Sequence, residues 1–163
     1  MNKPAIDSLI QTLVTSGSCA ALNISSPGMD LNEVGSHGRT LLMVAASEGM
    51  HEAIEVLINL GASVGAVGNR GMTALHEASS SGHTRIVSRL LELGAAVDAK
   101  TDDGVTPLMC AAAWGHVGVA EILLGQGADV AHKDITGATA LDIANEKGEL
   151  DWAEFLKSAG WHL

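Results

Sequence analysis

Seven histidines, two cysteines and three tryptophans are the side chains in this chain best suited to chemistry or recognition. Imidazole and thiolate are the usual ligands of zinc, but three or four must converge on one point to hold it. His83 and His116 stand 33 residues apart, with no close third ligand evident. His51, His132 and His162 are scattered and are expected to be solvated, so no metal site is expected. A nucleophile needs a base beside it and a group to orient that base. Cys110 is followed by three alanines and reads as a small buried hydrophobe. No phosphate loop or dinucleotide fingerprint appears; "GAVGNRG", from Gly65 to Gly71, is rich in glycine but lies in a connecting loop. The chain is therefore expected to have no catalytic residue and no cofactor. A metal-dependent protein built on the histidines is kept as a lesser alternative.

Composition narrows the setting. The 163 residues suffice for one domain with a sizeable core. Hydrophobic residues make up 47 % and charged residues 17 %, which argues against disorder. Aromatics are only 2 %, so the core must be aliphatic. The formal net charge of −10 repels phosphate and so disfavours nucleic acid or an anionic membrane as partner. From Arg70 to Asp102 four bases balance four acids, whereas from Asp103 to Leu163 there are three bases and nine acids. Cys19 and Cys110 are too few for a disulfide framework in so long a chain. The N-terminal stretch lacks a long apolar run, so neither a signal peptide nor a membrane span is expected, and a cytoplasmic setting is.

Helices at a fixed interval would have to position these residues. "TLLMVAASEG" at Thr40, "TALHEASSSG" at Thr73, "TPLMCAAAWG" at Thr106 and "TALDIANEKG" at Thr139 begin 33 residues apart. "LGASV" from Leu60, "LGAAV" from Leu93 and "QGADV" from Gln126 keep the same register. A weaker copy, "DSLIQTLVTSG", starts at Asp7. The chain is thus expected to be a single repeat domain over 1–163. Its units are 7–39 as an N-terminal cap, then 40–72, 73–105 and 106–138, with 139–163 as a C-terminal cap.

Each unit predicts two helices. Threonine caps the first by accepting from free backbone N–H groups, and Pro107 suits the next position. Gly49, Gly82, Gly115 and Gly148 end it. The second carries Ile86, Val87, Leu90 and Leu91 on one apolar face. One helix pair cannot bury its apolar face alone, so the units must stack.

These motifs, with "TALH" at His76, "SGH" at His83, "WGH" at His116 and "GADV" at Val130, resemble the ankyrin-repeat family over nearly the whole chain. The resemblance implies an all-α solenoid of antiparallel helix pairs with projecting hairpin loops. His83 and His116 would then serve loop hydrogen bonds. Met43, Met109 and Asp142 stand where the family prefers histidine, so His76 alone is expected to brace its helix-start threonine. The resemblance also implies a non-enzymatic module that binds another protein through loop tips and the first-helix surface. Small stand-alone proteins of this family, microbial in character, commonly inhibit, neutralise, stabilise or bridge a partner.

In this register the tip and helix positions include His37, Arg39, Glu48, Arg70, Met72, Ser81, Asp102, Asp103, Val105, Ala113 and Trp114. Trp114 stands where sister units carry Glu48, Ser81 and Lys147. A position filled by such residues faces water, and an exposed tryptophan there suits a contact hot spot. The alternative is that Trp114 folds over its own stack. Met72 and Val105 would join it in an apolar patch, rimmed by Arg39 and Arg70 on one side and Asp102 and Asp103 on the other. Trp152 aligns with Ala53, Ile86 and Val119 and is expected in the core with Phe155 and Leu156; Trp161 is expected to cap the C-terminal end. The free protein is expected to be a monomer, with a self-associating subunit as the alternative.

Overall fold

The computed structural model describes residues 3–16, 30–149, 152, 154 and 155. Among them are eight α-helices and no strand: α1 (Lys3–Ser16), α2 (Leu41–Ser47), α3 (His51–Asn59), α4 (Ala74–Ser80), α5 (Thr84–Glu92), α6 (Pro107–Ala113), α7 (Val117–Gly125) and α8 (Ala140–Lys147). The fold is all-α, as the resemblance implies. Thr40, Thr73, Thr106 and Thr139 are extended N-caps whose hydroxyls accept from the amides of Met43, His76, Met109 and Asp142. Each satisfies one of the donors a helix start leaves free.

The first helices α2, α4, α6 and α8 pack side by side in one row. The second helices α3, α5 and α7 form a parallel row, each packed on the first helix of its own pair. A single apolar cluster runs through the stack, with Leu42, Ile54, Leu75, Leu90, Leu108 and Leu123 among its buried members. On α5, Ile86, Val87 and Leu90 are buried while Leu91 is only partly so, because it stands at the rim of the stripe.

The connecting hairpins are joined by backbone hydrogen bonds. Asn69 N–H donates to the Gly38 carbonyl, Asp102 N–H to Arg70 and Ile135 N–H to Asp103, at 2.8–3.0 Å. At the N-terminal end Ser36 N–H donates instead to the Asp7 carboxylate, at 2.7 Å. The helix that carries Asp7 begins at Lys3, five residues ahead of Ser8, where the repeat register would start it, and Pro4 fits its first turn because no N–H is needed there.

Trp152 is fully buried and meets Phe155 edge to face, with ring centroids 6.1 Å apart. The expectations for Leu156, Trp161, His162 and Cys19 lie outside the described residues.

Candidate protein-binding surface

Histidine brackets tie each helix pair to the one before it. His83 Nε2 donates to the Ser47 carbonyl and His116 Nε2 to the Ser80 carbonyl, each at 3.0 Å. The rings pass over Gly49 and Gly82, where an added Cβ would lie 2.9 and 2.7 Å from imidazole atoms. His76 donates from Nε2 to the Val105 carbonyl at 3.1 Å, and its Nδ1 accepts from Thr73 N–H at 3.2 Å. Burial holds its pKa below the ordinary value, against the raising effect of its carbonyl partners. The ring is thus a neutral structural bracket.

Two expectations about such brackets are corrected. His76 is not alone: the Asp142 carboxylate accepts from both Thr139 N–H and Thr139 Oγ, at 2.9 and 2.7 Å. A carboxylate can take both protons, and these bonds hold the Asp142 carboxyl below its usual range. His132 is not simply solvated, since its Nε2 donates to the Gly104 carbonyl at 3.0 Å. His51 is half-buried, with Nδ1 enclosed and unpartnered among the described residues. Among those residues no three of His, Cys, Asp and Glu gather closely enough to hold a metal ion. Cys110 is buried, and burial pushes its thiol up to about 11, which keeps it protonated at neutral pH.

The eleven surface residues selected by register divide into separate features. Trp114 is the C-cap of α6 and is 65 % exposed, so it does not fold down over the stack. Ala113 and Ser81 are half-buried and Glu48 is exposed. Met72 and Val105 pack partly against the core and, with Arg70, Thr101 and Asp103, line a groove of about 200 Å³ between two hairpins. Trp114 is not part of that groove; α6, about 10 Å long, separates the two ends of its unit. The structure therefore brings Met72 and Val105 together and leaves Trp114 apart from them.

The charges of the expected rim are engaged within the chain. Arg70 pairs with Asp103 across the hairpins. Arg39 pairs with Glu77 of α4, its Nε 3.0 Å from Oε1. Burial raises the Glu77 carboxyl above its ordinary value, and Arg39 pulls it back down. His37 and Asp102 are exposed at their tips. Arg70 has a positive φ of 59°, which no other described residue but glycine shares; the pair with Asp103 and the bond from Asp102 N–H hold that tip in place.

The same register also places Ile135 at a tip, though not among the eleven selected residues, and it is 71 % exposed there. Its counterparts are Ser36, Asn69 and Asp102, so the comparison that selected Trp114 selects it too.

Helix pairs stacked in rows, with bonded hairpins and imidazole brackets, define a repeat solenoid. The family description "Ankyrin repeats (3 copies)" matches residues 7–101, 42–134 and 93–162, and the chain belongs to the ankyrin-repeat family. A search of curated proteins finds no match. Ankyrin repeats are generally protein–protein interaction modules and generally non-enzymatic. No described helix is long and apolar enough to cross a membrane.

Proposed function

We propose that the protein is a non-enzymatic module that binds another protein, with Trp114 as an anchor of the contact. The observation that carries this reading is the exposed indole at the end of α6, in a place where sister units hold Glu48, Ser81 and Lys147. Ser81, Ala113 and Glu48 would border that anchor. The groove of Met72, Val105, Arg70 and Asp103 would receive a second part of the partner, with Arg39, His37 and Asp102 nearby. A preformed surface loses little ordering entropy on binding, which suits a protein that inhibits, neutralises or stabilises its partner by occupying it.

Affinity capture from the native cell, with wild type, Trp114→Ala and an outer-helix control, Glu121→Ala, tests this. A protein retained by wild type and control but lost with Trp114→Ala is expected, with an affinity loss of about 2 kcal/mol in titration. Equal retention by all three would remove Trp114 from the contact. Mass in solution that grows with concentration would point to self-association instead.

A further inference from the structure

Beside Trp114 one imidazole bracket is replaced by an acid. The bracket position holds His83 and His116 in two units and Glu149 in the next. The Glu149 carboxylate lies over Gly115 as the rings lie over Gly49 and Gly82: a Cβ on Gly115 would collide with Oε2. An imidazole there donates to the last carbonyl of the preceding first helix, Ser47 or Ser80. The matching carbonyl is that of Ala113, and a carboxylate cannot donate to it. Among the described residues, no donor reaches the Ala113 carbonyl and no cation pairs with Glu149. Among the described residues, two acceptors thus stand without a donor, one at Ala113 and one over Gly115, the residues on either side of the exposed Trp114.

We infer that Trp114, Glu149 and the Ala113 carbonyl recognise a lysine or arginine side chain carried by a segment of the partner protein. The indole face attracts a cation, the carboxylate pairs with it, and its N–H groups supply what the carbonyl lacks. The C-terminal end of α6 adds partial negative charge. Charge complementarity points the same way, since acids outnumber bases nine to three from Asp103 onward. The inference rests on the proposed contact role of Trp114 and adds the chemistry of what it contacts.

The test is selection of random twelve-residue displayed peptides on the wild-type protein, with counter-selection on Trp114→Ala. Recovered peptides are expected to be enriched in lysine and arginine over the starting library. Glu149→Gln is expected to weaken them about two- to fivefold, Trp114→Ala about tenfold, and added salt to weaken them further. Glu149→His restores the bracket of the sister units, so it guards against misfolding and is expected to lose the basic preference as well. Apolar peptides with no basic enrichment, indifferent to Glu149→Gln, would overturn the cation site while leaving Trp114 as a contact. If no peptide distinguishes wild type from Trp114→Ala, both readings fall.

Discussion

Ser79 occupies a place that sister helices give to Ala46 and Ala112. It is fully buried, and its hydroxyl has no partner among the described residues. An enclosed unpaired hydroxyl opposes folding, so Ser79→Ala is expected to raise stability by about 1 kcal/mol in urea unfolding. Trp152→Ala is expected to do the reverse, with a loss of about 3–5 kcal/mol from the cavity it leaves. Trp114→Ala should scarcely move the same transition. His76 gives stability a pH dependence whose sign follows from its lowered pKa. Between the folded value and the ordinary 6.5, the unfolded chain binds a proton that the folded chain refuses. Stability therefore falls as pH drops below about 6.5, and the fall should be shallower in His76→Gln when both are unfolded at pH 7 and pH 5.5. Glu77, with its carboxyl raised by burial, works in the opposite sense, nearer the carboxylate range.

Between helices, the same bond recurs wherever the residue allows it. The Asn32 side-chain Oδ1 accepts from Ser63 N–H and the Asp98 carboxylate from Asp129 N–H, at 2.7 and 3.0 Å. The place between them holds Gly65. A Cβ there meets nothing within 4 Å, so Gly65→Asn should complete the series towards Ala96 N–H. A gain of about 0.5–1 kcal/mol in the unfolding midpoint is expected from the bond and the stiffer unfolded chain. Gly82 and Gly148 both have positive φ, but only Gly82 has an imidazole within a Cβ's reach. Gly82→Ala should therefore cost more than the roughly 1 kcal/mol of backbone strain expected for Gly148→Ala. The threonine caps, the closing glycines and the apolar stripes were legible in the sequence because each depends on local chain geometry repeated at one interval. Arg39–Glu77 was not, for its partners lie 38 residues apart, off the repeat. His132 was not either, since the carbonyl it reaches belongs to the preceding hairpin. The tip position of Ile135 follows from register, and Arg70–Asp103 could have been read from the one-period spacing of opposite charges.

Across the described stack, each helix pair packs chiefly on its neighbours, so cohesion is a chain of similar interfaces and not one centre. Amide exchange should accordingly be slowest in α4 and α6, which have first-helix neighbours on both sides, and faster in α1 and α8. The Trp114 end of the candidate site thus sits on a helix held from both sides, by α4 and α8. The hairpin rungs from Gly38 to Asn69, Arg70 to Asp102 and Asp103 to Ile135 have a mechanical corollary. Each rung crosses between adjacent pairs, so tension applied at the two termini must part them in series. The molecule should lengthen under load in small, reversible steps from an end inward, behaving as a soft spring and not as a brittle body.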